Sequence, residues 1–275
     1  MSLYLRNRWQ QLYKNLLHSS IQELLVEDLQ TPALIFSPHP DDETLGCGGT
    51  IIRKKKLGAD VKIIFMTDGS NSHSHLIASE KLKSIRTEEA LSAAEKMGLA
   101  KEDIYFLEFS DGNLIKHYGK AIVKVKEILA LYPGYQLFIP YRQEAPKDHF
   151  VTNKIVRNVL KSIGENRIIY EYPIWFWAHF PWIAFQGSWR EKLSTCKNTA
   201  IAGLGLNLIK NFRYGVDIED ILELKRNALA EHKSQTQQLI SNCQWLTLSD
   251  VANGEFLDCF FQKYEFFYQE KSTKY

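Results

Sequence analysis

From residue 33 to residue 172, short apolar runs alternate with helix-like stretches. Ala33-Leu34-Ile35-Phe36 precedes a helical pattern from Thr50 to Leu57, and Val61 to Met66 precedes one from Ser84 to Met97. Ile104 to Phe109 leads to Gly119 to Leu131, and Leu137 to Ile139 leads to Val151 to Ile163, before a last run at Ile168 to Tyr172. Apolar runs this short, with Pro or Gly at their borders, read as buried strands. Strands that alternate with helices at this pace are βαβ units and imply a parallel sheet.

The expected fold class is therefore α/β, a Rossmann-like three-layer fold with a mainly parallel central sheet and helices on both faces. A chain of 275 residues fits one domain, 1–275, with decorations. Residues 1–30 read as an N-terminal helical extension, because Leu5, Trp9, Leu12, Leu16 and Leu24 fall at roughly helical spacing, interrupted near Ser19-Ser20. Residues 174–275 read as an aromatic and helical C-terminal decoration, with helices near 216 to 242 and 263 to 270. At 45% hydrophobic and 24% charged residues, the composition is that of a globular protein with a core. The net charge is +2 with basic residues scattered along the chain, so nothing demands a nucleic-acid or anionic-membrane partner. Cys47, Cys196, Cys243 and Cys259 form no CxxC pair, and no stretch reads as a signal peptide or membrane span. The expected localisation is cytoplasmic.

Ligands of open parallel sheets bind beyond the carboxyl ends of the strands. Here the first strand runs into Ser37-Pro38-His39-Pro40-Asp41-Asp42-Glu43, one imidazole and three carboxylates at that position. His39 and Asp42, three apart across a strand-to-helix turn, can reach one cation, and histidine nitrogen with carboxylate oxygen is a normal zinc donor set. Asp41 leaves the backbone in another direction and can reach a metal-bound water. Acidic residues also cap helices, but capping needs neither His39 nor the flanking prolines. A third ligand must come from another strand end. His149, in Pro146-Lys147-Asp148-His149 after the fourth strand, is the best-placed histidine, with an exposed first-turn residue as the plainer alternative.

These residues resemble the PIG-L and LmbE-like family of zinc-dependent N-acetyl sugar deacetylases. His39-Pro40-Asp41-Asp42-Glu43 and Asp148-His149 carry the resemblance. Weaker echoes are Thr67-Asp68-Gly69, Arg86 with Glu89, and His232-Lys233-Ser234-Gln235. The resemblance implies a hydrolase that removes acetyl from an N-acetylglucosamine-type sugar or conjugate. It implies His39, Asp42 and His149 as Zn2+ ligands, a set that also takes Fe2+ or another divalent ion. Asp41 would be the general base, with Arg86, Asp68 and Asp111 contacting substrate. Asp148 would orient His149 or cap its helix. One departure stands out: the family often shows His-Pro-Asp-His, and the expected oxyanion histidine is Pro146 here. His232 and His179 are the candidates to replace it.

Other readings remain open. Gly46-Cys47-Gly48-Gly49 with Asp68 suggests a nucleotide-binding enzyme, but the spacing is not GxGxxG and the adjoining carboxylates would repel a pyrophosphate. A non-catalytic relative and a hydrolase of another small amide are the remaining two. His73 and His75 suggest a second metal site, but they sit in a polar loop whose plainer reading is a mobile substrate loop bordering the site or no role at all. The aromatic stretch from Tyr170 to Trp182 is core, a sugar-stacking rim or a peripheral membrane contact.

Overall fold

The computed structural model describes residues 3–241 and 243–270. Helix α1 (Leu3–Ser19), β1 (Gln22–Glu23) and α2 (Val26–Gln30) lead into β2 (Ala33–Ser37), α3 (Asp42–Lys56), β3 (Val61–Thr67) and α4 (Ser79–Lys96). Next come β4 (Ile104–Phe109), α5 (Tyr118–Leu131), β5 (Gln136–Pro140), α6 (Lys147–Ile163) and β6 (Ile169–Tyr172). The rest comprises α7 (Trp189–Ile201), α8 (Leu206–Asn211), β7 (Tyr214–Asp217), α9 (Leu222–Ala230), α10 (Lys233–Thr236), α11 (Glu255–Asp258) and β8 (Tyr264–Gln269).

The central runs are continuously apolar because side chains alternate between two covered faces. Leu34, Phe36, Ile64, Met66, Leu137 and Ile139 share one core with Val125 and Leu129 of α5 and Ile155 and Val159 of α6. Ala33, Ile35, Ile63, Phe65 and Phe138 share the other with Ile51 of α3 and Ala90 and Ala94 of α4. The fold is thus three-layered, α/β, as the sequence pattern predicts.

Among the described residues the strand order is β1-β7-β8-β6-β5-β2-β3-β4. Strand β2 pairs in parallel with β3 on one side and β5 on the other. The chain runs outward from β2 to β4 and then returns to start again beside β2. That reversal leaves a crevice beyond the ends of β2 and β5, where such sheets bind ligands.

Two expectations are corrected. The segment near 263 to 270 is not helical: it is β8, antiparallel to β6 and β7. Its sequence, Tyr264-Glu265-Phe266-Phe267-Tyr268-Gln269, is rich in aromatic residues that favour a half-buried sheet surface, and two flanking strands supply its ladder. Helix α3 begins at Asp42 rather than Thr50. Its glycines lower helix propensity but permit close packing: a Cβ on Gly46 would lie 2.4 Å from the Tyr172 ring. That ring is buried and its hydroxyl donates to Phe36 O at 2.7 Å, so it has no easy retreat. Gly46→Ala is expected to cost roughly 1–3 kcal/mol, read as a drop of several degrees in Tm. No helix among the described residues is long and apolar enough to cross a membrane.

Candidate active site

The turn between β2 and α3 is held from several sides. Thr67 donates its backbone N–H and its hydroxyl to Pro38 O at 3.0 and 2.7 Å. The Glu43 carboxylate, fully buried, accepts from Asp41 N–H at 3.0 Å and from the Thr44 hydroxyl at 2.7 Å. Asp41 adopts φ 139°, a conformation that costs a non-glycine residue roughly 1–3 kcal/mol. Glu43 and Arg86, whose guanidinium lies 3.3 Å from Asp41 Oδ2, hold it there. Arg86 also donates to Gly69 O at 3.1 Å and to Pro40 O.

His39 Nδ1 and His149 Nε2 approach the same oxygen, Asp42 Oδ2, at 3.1 and 3.2 Å. One donor atom from each of the three residues falls within 4.8 Å of the others. His149 is completely buried in the first turn of α6, yet neither of its ring nitrogens has a hydrogen-bond partner. A buried polar atom left unpaired costs roughly 1–3 kcal/mol. Two imidazoles converging on one carboxylate oxygen are a donor set suited to a divalent cation, which would satisfy the orphaned nitrogen. His39, Asp111 and Asp148 form a second group that shares the same ring. There His39 Nε2 faces Asp111 Oδ1 at 3.2 Å and Asp148 Oδ2 at 3.7 Å, the arrangement of outer partners that orient a ligating imidazole.

The electrostatics suit a cation. Burial works against charge on His39, but Asp111, Asp148 and Asp42 outweigh it and push the ring well above its ordinary value. Burial likewise opposes ionisation of Asp42, and the two histidines override it, holding that carboxyl far below the usual range. Asp41 differs. Burial raises it to about 6 against the pull of Arg86.

The remaining residues singled out from the sequence separate into two sets. Arg86, Asp111 and Pro146 line a cavity of about 300 Å³ together with His39, Asp41 and Asp42. Asp68 does not line it. Its Oδ1 accepts from the N–H groups of Ser70 and Asp111, at 3.1 and 3.2 Å, and so shapes the loops at the rim. Asp148 neither caps α6 nor faces His149. It accepts from Gly112 N–H and Leu114 N–H at 2.7 and 3.2 Å, anchoring the loop that carries Asp111.

Neither candidate for the missing histidine lines the cavity. His232 is buried behind the turn, with Nε2 at 3.2 Å from Glu43 Oε1 and 3.3 Å from Thr44 Oγ1. His179 is buried among aromatic residues and bonds through Nδ1 to Phe176 O. Burial pulls His179 down to about 4. Between its ordinary value near 6.5 and about 4 the unfolded chain therefore binds more protons than the native one. Stability from this group is complete above pH 6.5 and is lost as pH falls toward 4, by up to about 3 kcal/mol. Denaturant titrations across that window are expected to show a shallower slope in His179→Asn. The loop histidines do not meet: His73 stacks on Trp245 at 4.1 Å and bonds to Leu246 O, while His75 is exposed.

The fold brings further residues to the site, of which Glu89, Ser234 and Gln235 are among the weaker echoes in the sequence. Glu144, fully buried, accepts from Ile174, Trp175 and Phe176 N–H groups at 2.8, 2.7 and 3.2 Å, and its Oε2 lies 3.7 Å from His149 Nδ1. Burial raises its carboxyl to about 7. The segment it holds brings Trp175 against Phe256, rings stacked at 4.7 Å, and both line the cavity with Leu248 and Gln235. Glu89 in α4 accepts from Ser234 N–H and hydroxyl at 2.7 and 2.6 Å, which sets Gln235 at the wall. An acid inside the β5–α6 loop was the one visible hint of Glu144. Trp175 of the aromatic wall falls in the stretch whose readings include a sugar-stacking rim, whereas Phe256, 81 positions away, carries no such signal.

Residues 34–160 match the family described as GlcNAc-PI de-N-acetylase, PIG-L. Diacetylchitobiose deacetylase of Thermococcus kodakarensis is 29% identical over 209 residues, covering 74% of this chain and 69% of that protein. The 1D-myo-inositol 2-acetamido-2-deoxy-alpha-D-glucopyranoside deacetylase of Rhodococcus opacus is 24% identical, covering 80% and 86%. Among solved structures, N,N'-diacetylchitobiose deacetylase from Pyrococcus horikoshii superposes with a TM-score of 0.61 over 98% of this chain and 93% of that one. At 19% identity this is a likeness of fold.

Proposed function

We propose that this chain is a PIG-L-type deacetylase, as the family match over residues 34–160 and the deacetylase relatives support, and that it removes acetyl hydrolytically from an N-acetylglucosamine-type sugar or sugar conjugate. The observation that carries the reading is the buried His149, whose ring nitrogens make no hydrogen bond and whose Nε2 faces Asp42 Oδ2 at 3.2 Å, beside His39 at the edge of a cavity of about 300 Å³. The relatives' names, which specify acetylated amino-sugar substrates, support the same class.

His39, Asp42 and His149 would hold the ion, and their nitrogen and carboxylate donors favour zinc over magnesium or calcium. The chemistry such an ion supplies is acidification of a water molecule toward a pKa of about 7, and polarisation of a carbonyl. The chain's own residues do the rest. Asp41, at the cavity wall, accepts a proton from the attacking water and returns it to the leaving amine nitrogen. Arg86 keeps the Asp41 carboxylate aimed into the cavity through their 3.3 Å contact. Trp175 and Phe256 offer an apolar face to a sugar ring. Four free cysteines support a reducing, cytoplasmic setting.

Purified protein with its metal content determined should release acetate from a panel of N-acetylglucosamine, diacetylchitobiose and N-acetylglucosaminyl inositol, with one free amine per acetate. Metal-loaded protein that releases none from any of them, but cleaves another small amide, would move the substrate class and keep the chemistry.

A further inference from the structure

Formal charge looks scattered along the sequence, but the fold gathers it. Residues 3–19 hold three Lys or Arg and no acid, and residues 185–213 hold five against one acid. Together they carry +7 in a chain whose total is +2; Arg6 is buried and paired with Glu255, which leaves +6 against −4 in the rest of the molecule. Both segments seat on the same strip of chain. Gln10 of α1 donates to Trp182 O at 3.0 Å, and Asn198 of α7 donates to Ala178 O at 3.0 Å. Helix α1 also packs on α8.

This basic region also exposes large apolar side chains. On α1, Trp9, Leu12 and Leu16 fall on one helical stripe and are 48%, 47% and 44% exposed, while Leu17 beside the stripe is buried. On α7, Trp189 is 74% and Leu193 51% exposed. Leu204 and Leu206 follow at 65% and 53%. The aromatic stretch from Tyr170 to Trp182 is largely core, with Tyr170, Tyr172, Trp177 and Trp182 all buried. The exposed apolar surface lies instead on the helices that flank it.

We propose that this face docks onto an anionic lipid bilayer. Exposed Trp and Leu on segments that also carry Lys and Arg match a membrane interface, whose headgroups attract the cations while its acyl boundary takes the apolar side chains. A second copy of this chain, seated face to face, would set like charge against like. Nucleic acid would match the charge but leave the tryptophans and leucines in water. The face is also joined to the cavity: Arg6 of α1 pairs with Glu255, and the next residue, Phe256, lines the cavity wall. The inference does not depend on which substrate the site takes.

Flotation with phosphatidylcholine vesicles and with equimolar phosphatidylcholine and phosphatidylglycerol vesicles tests it on the full chain. Binding is expected to the anionic vesicles, and to weaken at least about tenfold without the anionic lipid or at high salt. Trp9→Ser with Trp189→Ser, and separately Lys192→Glu with Lys197→Glu, should each lower binding at least about tenfold. Both pairs should leave Tm and turnover of a water-soluble N-acetyl sugar unchanged, since none of the four residues lines the cavity. Equal or absent binding to the two vesicle types overturns the proposal. So does wild-type binding by both variants, or a stable dimer in light scattering that Trp9→Ser with Trp189→Ser separates.

Discussion

His149→Ala is expected to release the bound metal and to abolish acetate production, while the protein still folds. The imidazole is completely buried, so no solvent molecule already present at a surface can take over its place as a donor without a cavity opening first. Its Nε2 faces the same Asp42 oxygen as His39 Nδ1, and removing it leaves two protein donors where a zinc site uses at least three. Loss of an outer partner alone typically lowers metal affinity roughly 10–100-fold. Asp111→Asn, which weakens the partner of His39 Nε2, should fall in that range, and His149→Ala should exceed it. Metal analysis of the dialysed proteins, followed by calorimetric titration with zinc, reads both. If His149→Ala retains one metal per chain, the donor set assigned to this site is wrong.

The β2–α3 turn was legible because its chemistry is local. His39, Asp41 and Asp42 lie within four residues of one another, and a strand-to-helix turn can aim them only into the crevice at the strand ends. His149 was legible for a related reason, since β5 lies beside β2 and both loops open on the same side. What stayed hidden depends on contacts between distant segments. Glu144 acts by accepting from backbone groups thirty residues downstream, and no side-chain pattern marks that. His232 is in the sequence a candidate for the missing histidine with ordinary packing as the plainer reading, and Glu43 and Thr44 hold it packed behind the turn. Strand β8 was concealed because its aromatic run satisfies helical and extended spacing alike, and only pairing with β6 and β7 decides between them.

Those distant contacts explain how a strained turn survives. Glu43 receives the Asp41 N–H on one side and His232 on the other, so a residue near the C-terminus supports backbone geometry at the first strand end. Glu144 does the same at the second strand end, joining the His149 ring to the segment that carries Trp175. Each carboxyl group is fully buried and met by several donors, which is the condition under which a buried polar group is tolerated. The donor set and the apolar wall are consequently fixed by the same framework rather than by separate loops.

Asp41→Asn should separate metal binding from turnover. Asparagine has nearly the same shape, and it tolerates positive φ better than most residues, so the turn at φ 139° should persist. Its side-chain carbonyl can still face Arg86, which in any case keeps Gly69 O and Pro40 O as acceptors. An amide cannot take up a proton in this range and cannot deliver one to a leaving amine. Loss of one positioned acid–base group typically costs roughly 10²–10⁴-fold in rate. The expected result is therefore full metal content, a KM close to that of the parent, and kcat lower by about that factor. Metal lost together with activity would make Asp41 a ligand instead of the base. Activity within about tenfold of the parent would exclude Asp41 as the base, and Asp111, the other carboxylate at the cavity wall beside His39, would become the group to test.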